Sequence, residues 1–431
     1  MSNSATTGTS VSLLTDRYEY TMVSAALADG SINRQCVFEV FARKLPPGRR
    51  YGVVAGIGRI VESLADFYFD PDDIAFLRDS GIVDDAMASW LRDFRFRGDI
   101  DCYPEGELYF PGSPIVTVSG TFGECVLLET LLLSIMNHDC AVASAAARMV
   151  TAARGRAIIE MGSRRTHEEA AVAAARASYL AGFASTSNLA AGRRYAIPTV
   201  GTSAHAFTLL HNDEVAAFQS QVAQMGVDTT LLVDTYDISQ GIKNAIAVAG
   251  PKLRSIRIDS GDIDVMAHQS RELLDSLGAT ETAIVVSGDL DEYAIAALAA
   301  SPVDVYGAGT SVVTGSKAPT ANLVYKLVEV EGRPVVKRSE NKATVGGRKT
   351  AIRRHKPTGT VIEEVVVSQG TPRSQPGDRP LQTALIRNGE PVADLPNLDD
   401  SRQHLREGLI SIPWEGLKLS AGDPSVPVVM S

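Results

Sequence analysis

Six short apolar runs, each followed by small, hydroxylic or charged residues, recur between positions 156 and 311. They are AIIEM (157–161), IPTV (197–200), LLVD (231–234), SIRID (255–259), AIVVS (283–287) and VDVYG (303–307). Segments with helical spacing of apolar residues separate these runs. Strands that alternate with helices are typical of parallel βα units. The chain is therefore predicted to form either a βα barrel or a doubly wound sheet.

The residues after each run distinguish these two folds. A βα barrel assembles its active site from the ends of all its strands, whereas a doubly wound sheet concentrates such residues at one switch point. Here every run ends in polar or small residues: Gly162–Arg165, Gly201–His205, Thr235–Asp237, Ser260–Asp262, Gly288–Asp291 and Ala308–Ser311. The pattern favours an irregular or incomplete, TIM-like βα barrel.

The predicted fold class is accordingly α/β, with three segments. Residues 1–150 are expected to form an N-terminal α+β domain with long helices, and residues 151–320 the barrel with the active site. Residues 321–431 are expected to form a β-rich C-terminal segment and tail that packs on the N-terminal domain.

Within the N-terminal segment, the alternation in VFEVFAR (37–43) predicts a strand. Apolar spacing predicts helices within 52–69 and 72–94, and a long helix or a broken pair over 122–153. Residues 1–12 are rich in Ser, Thr and Gly and are expected to be disordered. Thr166–Glu169 resembles a capping box that would begin a later helix.

Charge and cysteine content limit the partners and the compartment. With 41 Lys and Arg against 51 Asp and Glu, the net charge is −10, so no general binding to nucleic acid or anionic membranes is expected. Cys36, Cys102, Cys125 and Cys140 form no CxxC pair, which indicates reduced core residues and a cytoplasmic protein. The most apolar run, 125–136, is too short to span a membrane, and we expect no signal peptide.

Two glycine-rich turns follow the last two runs, Ser287-Gly288-Asp289 and Gly307-Ala-Gly309-Thr310-Ser311. Such turns, where they begin helices, present backbone N–H groups to phosphate. The alternative is that these glycines only make tight turns. Arg164 and Arg165 follow the first run, and they either bind one multi-oxygen anion together or form a solvated surface pair.

Strand alternation puts Arg257 and Asp259 on one face of their run. They are either a structural ion pair or a pair that binds a ligand, with Arg257 on a carboxylate and Asp259 on a sugar hydroxyl. His205 follows Gly-Thr-Ser and is either a buried structural histidine or a nucleophile, proton donor or phosphate ligand. The spacing thus suggests an enzyme for a phosphorylated sugar and a carboxylate, without naming the reaction.

Several motifs, taken together and in order, resemble the nicotinate phosphoribosyltransferase family from residue 13 to about 354. The family usually has Pro-Gly where this chain has Gly346-Gly347, and the tail from about 370 is not covered. The motifs are LLTDRYEYTM (13–22), FEVFARKLP (38–46), MGSRR (161–165), GFASTSN (182–188), GTSAHAF (201–207), LLVDTYD (231–237), IRIDSGD (256–262), SGDLD (287–291), GAGTSVVT (307–314) and KRSENKATVGGRK (337–349).

The resemblance implies that the chain joins nicotinate to phosphoribosyl pyrophosphate, with Mg²⁺ present and with ATP hydrolysis through a phosphohistidine at His205. It further implies nicotinate binding by Tyr18, Thr202 and Arg257, and a homodimer. Asp259 would stabilise the cationic sugar. The groups expected at phosphoribosyl pyrophosphate are Arg164, Arg165, Ser287, Gly288, Gly309 and Thr310, and no metal ligands are assigned.

Three alternatives stay open. A nicotinamide phosphoribosyltransferase would share the fold, but an arginine opposite the ring substituent favours a carboxylate over an amide. A quinolinate phosphoribosyltransferase would need more basic residues near the ring. A non-catalytic nucleotide-sensing barrel would have no use for a phosphorylatable histidine.

Overall fold

The computed structural model describes residues 10–337 and 345–430. Most of the disordered segment expected at 1–12, and residues 338–344 of the 337–349 motif, lie outside the described residues. The chain folds as two compact units. The first unit holds the described residues up to Ala141 and those from Thr320 onward, and the second is Val142–Pro319.

The N-terminal part of the first unit begins with a helix and a long strand, and it leads into a helix that continues into the second unit. In chain order, its elements are α1 (Arg17–Asp29), β1 (Gln35–Ala42), β2 (Gly52–Val53), α2 (Ile57–Ala65), α3 (Pro71–Asp79), α4 (Asp85–Arg92), β3 (Asp99–Cys102), β4 (Leu108–Tyr109), β5 (Val116–Thr121), α5 (Phe122–Val126) and α6 (Glu129–Ala153).

The strand predicted from VFEVFAR is confirmed as β1, but every residue after Gln35 is buried. Its polar member Glu39 is accommodated by Lys349, whose Nζ lies 2.6 Å from Glu39 Oε2. The helical pattern over 72–94 corresponds to two helices, α3 and α4. Asp84 is the N-cap of α4, and its side chain accepts a hydrogen bond from the Met87 N–H. The broken helical pair over 122–153 is confirmed as α5 and α6.

The apolar run 125–136 has 12 residues, but it lies within a longer helical segment. That segment, Phe122–Ala153, has 32 residues. By length and composition alone it could cross a membrane. However, 67 % of its most apolar window is buried inside the protein, as in the core helix of a soluble protein.

The second unit alternates strands and helices around one sheet. Its elements are β6 (Ala157–Glu160), α7 (Glu168–Leu180), β7 (Ser185–Thr186), α8 (Leu189–Tyr195), α9 (His205–Leu210), α10 (Glu214–Met225), β8 (Thr230–Leu232), α11 (Ile238–Ala249), β9 (Ser255–Ile258), α12 (Ile263–Ser276), β10 (Ala283–Gly288), α13 (Glu292–Ala297), β11 (Val305–Ala308) and α14 (Thr310–Val313).

The six strands of this unit lie in the order β7-β6-β11-β10-β9-β8, and all neighbouring pairs are parallel. Within Val142–Pro319, all of which is described, β7 and β8 are the two edges of the sheet. The sheet is therefore an open half-barrel. This confirms the prediction of a mixed α/β fold with an incomplete barrel.

Two local predictions are wrong. IPTV (197–200) is not a strand: Thr199 makes an isolated bridge to Thr186, and the sixth strand is the two-residue β7. Pro198 has no N–H to give to a ladder, which limits the pairing of this run. The capping box at 166–169 is also displaced, since the N-cap of α7 is His167, whose side chain accepts from the Glu169 N–H.

The C-terminal part of the first unit is mostly strands. Its elements are β12 (Leu323–Val330), β13 (Arg333–Pro334), β14 (Lys349–His355), β15 (Val361–Ser368), β16 (Arg379–Pro380), β17 (Thr383–Arg387), β18 (Glu390–Pro391), α15 (Leu398–Ser411) and β19 (Val428–Met430).

Strands from both ends of the chain share the main sheet of the first unit, whose order is β13-β12-β1-β5-β3-β17-β18. β12 pairs with β1 and β17 with β3, both antiparallel. A second sheet, β16-β14-β15-β19, and the β2–β4 pair complete this unit. Its core is a continuous apolar cluster that includes Phe38, Phe94, Leu132 and Tyr325.

Candidate active site

The carboxyl ends of the six parallel strands meet at one edge of the half-barrel, so the residues after each strand are neighbours. This edge brings together Arg257 and Asp259 after or at the end of β9, Ser287 on β10 and Thr202 in the loop before α9. The structure therefore brings these four side chains together.

Arg257 is held by three different segments. Its Nη1 donates to Thr202 Oγ1 at 2.8 Å, and its Nε donates to Ser287 Oγ at 2.8 Å. Its Nη2 lies 3.3 Å from Asp259 Oδ1, which also accepts a hydrogen bond from the Ser287 hydroxyl. Because the Arg257 side chain is only 14 % exposed, these contacts fix the direction of its guanidinium group.

A second carboxylate, Asp234, supports this arrangement from the end of β8. Its side chain is buried, and Oδ2 accepts from the Asp259 N–H at 2.9 Å and from the Ser260 hydroxyl at 2.7 Å. Oδ1 is buried and accepts no hydrogen bond within the described residues. That oxygen lies 3.8 Å from His205 Nε2.

His205 is the first residue of α9, and its side chain is 41 % exposed. Its Nδ1 lies 3.1 Å from Thr235 Oγ1, directly after Asp234 in the chain. The two ring nitrogens thus face a hydroxyl and a carboxylate, which orient the imidazole. His205 therefore lies beside Asp234 and Thr235, next to the end of β8.

The glycine-rich turns after β6 and β11 pack against each other. A Cβ on Gly162 would come within 2.2 Å of Val313 Cγ1 and 3.0 Å of the Gly309 carbonyl oxygen. The Met161 N–H donates to the Ala308 carbonyl at 2.7 Å. Gly309 precedes the four-residue helix that begins at Thr310, whose side chain is exposed.

The turn after β10 and the paired arginines also lie at this edge of the half-barrel. Gly288 has φ of +129°, a left-handed conformation that favours glycine. The Arg164 and Arg165 side chains are exposed, while the Arg165 N–H anchors the loop on the Gly162 carbonyl at 2.8 Å. Exposed guanidinium groups and open backbone turns at one edge suit an anion with many oxygens.

Tyr18 is the one predicted site residue in the first unit. It lies on α1 and is 45 % exposed. Burial and the neighbouring charge of Glu129 raise the pKa of Tyr18 to about 12. The side chain is therefore a neutral phenol at physiological pH.

Sequence inspection missed Asp234 and Glu160. Asp234 is the last residue of the run LLVD (231–234) and lies two residues after β8, much as Asp259 lies directly after β9. Glu160 ends β6 and is fully buried, and burial raises its pKa. A polar residue at the carboxyl end of each apolar run was the signal that could have found both.

No cluster of three or more His, Cys, Asp or Glu side chains that could hold a metal ion occurs among residues 10–337 and 345–430. The strand-end edge does offer the carboxylates Asp234 and Asp259. Mg²⁺ commonly takes one or two carboxylates and completes its shell with water and substrate phosphates. The donor set therefore fits Mg²⁺ brought with a phosphorylated substrate rather than a protein-only metal centre.

An open parallel half-barrel with glycine-rich turns, paired arginines and an oriented Arg257 suits an enzyme class that handles phosphorylated, anionic substrates. Comparison with known proteins makes this specific. Residues 13–137 match the nicotinate phosphoribosyltransferase N-terminal domain, and residues 157–358 match the nicotinate phosphoribosyltransferase family. The chain belongs to the nicotinate phosphoribosyltransferase family.

Relatives agree over nearly the whole length. The chain is 61 % identical to nicotinate phosphoribosyltransferase pncB1 of Mycobacterium tuberculosis, covering 96 % of this chain and 94 % of that protein. It is 34 % identical to the nicotinate phosphoribosyltransferase of Bacillus subtilis, over 98 % and 93 % of the two chains. These matches confirm the resemblance, and with it an enzyme of NAD biosynthesis.

Solved structures show the same fold. Human nicotinic acid phosphoribosyltransferase superposes with a TM-score of 0.85 at 27 % identity, covering 97 % of each chain. A nicotinate-nucleotide pyrophosphorylase from Pyrococcus furiosus has a TM-score of 0.77 at 24 % identity, over 95 % and 97 % of the chains. The latter likeness concerns the fold alone.

Proposed function

We propose that this enzyme joins nicotinate to phosphoribosyl pyrophosphate, giving nicotinate mononucleotide and pyrophosphate, and that ATP hydrolysis drives the step. The observation that carries the proposal is the orientation of Arg257 by Thr202, Ser287 and Asp259 at the strand-end edge. A fixed guanidinium group at such an edge is suited to the planar carboxylate of nicotinate.

Arg257 and Thr202 are proposed to bind the nicotinate carboxylate. Thr202 Oγ1 accepts from Arg257 and donates a long hydrogen bond to the Ser203 carbonyl at 3.2 Å, a bond that a substrate oxygen would replace. Tyr18 is proposed, on the resemblance alone, to border the pyridine ring. The nitrogen of that ring has a free lone pair, so the reaction needs positioning and charge rather than a general base.

Phosphoribosyl pyrophosphate is proposed to bind at the turns that contain Gly288, Gly309 and Thr310, with Arg164 and Arg165 on its anionic groups. The close packing of Gly162 on Gly309 supports one continuous anion-binding surface. Ser287 would contribute by keeping Arg257 and Asp259 in place, since its hydroxyl contacts both.

Asp259 is proposed to stabilise the positive charge that develops on the ribose as pyrophosphate leaves. Its backbone and side chain are both fixed, by Asp234 and by Ser287. A preorganised carboxylate stabilises a developing cation because it needs no reorganisation during the reaction. Asp234 and Asp259 are the carboxylates that would hold Mg²⁺, and the ion would supply positive charge to the leaving pyrophosphate.

His205 is proposed to accept the γ-phosphoryl group of ATP. A bond from an imidazole nitrogen to phosphorus forms as the bond to the ADP oxygen breaks, and water later releases phosphate. The ring supports this role because its Nδ1 is held 3.1 Å from Thr235 Oγ1 while 41 % of the side chain stays exposed to an incoming phosphoryl group.

A homodimer and a cytoplasmic location are also proposed. Large apolar side chains are exposed on the second unit, among them Leu189, Leu209, Leu210 and Met225. Apolar surface of this kind is typical of subunit interfaces. All four cysteines are free thiols, as expected in a reducing compartment. Sedimentation velocity of the purified chain would show whether it is a dimer.

The His205 proposal predicts a separation of two activities. His205→Ala should abolish nicotinate-dependent ATP hydrolysis while slow, ATP-independent nucleotide formation persists, because joining the substrates needs no histidine nucleophile. Protein incubated with γ-labelled ATP should carry an acid-labile, base-stable label that His205→Ala lacks.

His268→Ala is the matched control, since His268 is exposed and contacts Asp264 four residues earlier on α12. It should keep both the label and the ATP coupling. If His205→Ala still couples ATP hydrolysis to product formation, His205 is structural.

A further inference from the structure

Glu160 is a buried carboxyl that the proposed chemistry does not use. It is the last residue of β6, and none of its surface reaches solvent. One carboxyl oxygen accepts from the Gly162 N–H and the other from the Thr186 hydroxyl. No Lys, Arg or His side chain makes an ion pair with it in the part of the chain that the structure describes.

The two partners of Glu160 belong to a closed ring of hydrogen bonds. Thr186 Oγ1 accepts from the Asn188 N–H at 3.0 Å. Asn188 Nδ2 then donates to Ser163 Oγ at 3.0 Å, and Ser163 is bonded to Gly162 along the chain. The ring therefore ties the loop after β6 to the loop after β7, immediately before Arg164 and Arg165.

Burial and hydrogen bonding act on the Glu160 carboxyl in opposite directions. Burial raises the pKa of Glu160, and the hydrogen bonds from Thr186 and Gly162 lower it only in part. A buried charge without a counter-ion is costly. The two hydrogen bonds that Glu160 accepts are therefore what holds this carboxyl in place.

We propose that Glu160 is a positioning residue that clamps the loop 161–165 through Gly162 and Thr186, and thereby sets the affinity for phosphoribosyl pyrophosphate. This rests on the proposed function, in which Arg164 and Arg165 bind that substrate. The clamp acts by hydrogen bonding and not by charge, so glutamine can replace glutamate in it.

Two variants test whether Glu160 acts by hydrogen bonding or by charge. Glu160→Ala should raise KM for phosphoribosyl pyrophosphate by roughly 10- to 100-fold, the loss expected when binding groups are misplaced by about an ångström. The KM for nicotinate should change much less. Glu160→Gln should stay close to wild type, because its amide oxygen can accept from Gly162 and its NH₂ group can donate to Thr186.

Hydrogen exchange of the peptide that spans 157–166 measures the clamp independently of any substrate. Exchange should rise in Glu160→Ala and not in Glu160→Gln. If Glu160→Ala does not fold, Thr186→Val serves in its place. It keeps the side-chain shape, removes the hydroxyl, and should also raise exchange and KM.

Glu214→Gln is the matched control. Glu214 is also buried with a raised pKa, but it accepts a hydrogen bond from Asn244 on α11, so its replacement should change neither exchange nor KM.

Arg165→Ala distinguishes failure of the clamp from failure of the proposed function. If Arg165→Ala raises KM for phosphoribosyl pyrophosphate and Glu160→Ala does not, the clamp is wrong. If Arg165→Ala leaves that KM unchanged, the proposed position of the phosphoribosyl pyrophosphate site is wrong. In that case the clamp is judged by hydrogen exchange alone, and unchanged exchange in Glu160→Ala would overturn it. Equal damage by Glu160→Gln and Glu160→Ala would show that charge, not hydrogen bonding, is what Glu160 supplies.

Discussion

The direction of the Arg257 side chain is set by acceptors that are mostly distant in sequence. Thr202 and Ser287 reach it only in the folded chain, and Asp259 follows two residues later. Thr202, Ser287 and Asp259 each satisfy a different part of the guanidinium group. Thr202 and Ser287 are neutral, and Asp259 supplies one carboxylate 3.3 Å from Nη2, a contact that it shares with the Ser287 hydroxyl. The Arg257 guanidinium group is thus fixed in direction and can still attract a ligand carboxylate.

Replacing this residue should change the substrate preference. A charge-assisted hydrogen bond contributes about 1.5–3 kcal/mol, so Arg257→Ala should lower kcat/KM for nicotinate by about 10- to 150-fold. Nicotinamide, which lacks the carboxylate, should lose much less. Steady-state kinetics with both substrates would measure the difference.

Arg92→Ala is a suitable control, because Arg92 lies exposed in the last turn of α4 in the first unit. Its kinetics should match those of the wild type. Equal losses for nicotinate and nicotinamide in Arg257→Ala would mean that Arg257 is a structural residue.

At the scale of elements, glycine allows the turns after β6 and β11 to approach each other closely. The loop after β6 and the loop after β11 contact each other at Gly162 and Gly309, on neighbouring strands. Gly346 shows the same need in the first unit, since a Cβ there would lie 2.7 Å from the Val335 carbonyl oxygen. This contact accounts for glycine at position 346.

A methyl group should therefore disrupt the anion-binding surface. Gly162→Ala places its Cβ against Val313 and the Gly309 backbone, an overpacking that costs about 1–3 kcal/mol. We expect a lower unfolding midpoint and a higher KM for phosphoribosyl pyrophosphate. Gly408→Ala in α15, whose Cβ would make only ordinary contacts with Leu108, should be neutral or stabilising, and a destabilised Gly408→Ala would contradict this account of glycine packing.

The sequence was informative where strand and site coincide. Four of the apolar runs at 231–307 and the run at 157 became neighbouring parallel strands, since short apolar runs separated by helices can be buried in few other ways. β7 was missed because two residues carry no periodicity. Asp234 was missed because its importance lies in bonds to Asp259 and Ser260, a contact between strands that spacing along the chain does not reveal.

At the scale of the whole molecule, the first unit is assembled from both ends of the chain, and a buried ionic network joins them. Arg353 Nη1 lies 2.7 Å from Glu107 Oε1, and Arg353 Nη2 lies 2.6 Å from Glu364 Oε2. Arg379 and His404 contact the other oxygen of Glu107 at 2.7 and 2.8 Å. Such a network is costly to break, because the remaining charges stay buried.

The pH dependence of unfolding should report this network. Burial opposes the charge of Glu107, but Arg353, His404 and Arg379 together hold its pKa well below the usual range. A lowered folded-state pKa contributes stability that is complete above the unfolded value, about 4.3, and is lost as the pH falls below it. Wild type should therefore exceed Glu107→Gln in unfolding free energy at pH 7, and the difference should shrink in acid.

Denaturant unfolding from pH 7 to 3 would measure that difference. Glu363→Gln removes a partly exposed partner of Arg354 and should have a small effect at every pH. A constant difference between wild type and Glu107→Gln over this range would show that the Glu107 charge does not contribute in the way described.

We propose that the strand-end edge of the second unit selects a pyridine monocarboxylate and that ATP hydrolysis is coupled to its transfer. The most direct test is a product assay with nicotinate, nicotinamide and quinolinate in parallel, each with phosphoribosyl pyrophosphate and Mg²⁺, with and without ATP. We predict nicotinate mononucleotide as the main product, formed faster and further with ATP, and little product from the other two substrates. Preference for nicotinamide or quinolinate, no turnover of any of the three, or no effect of ATP on nicotinate would contradict the account.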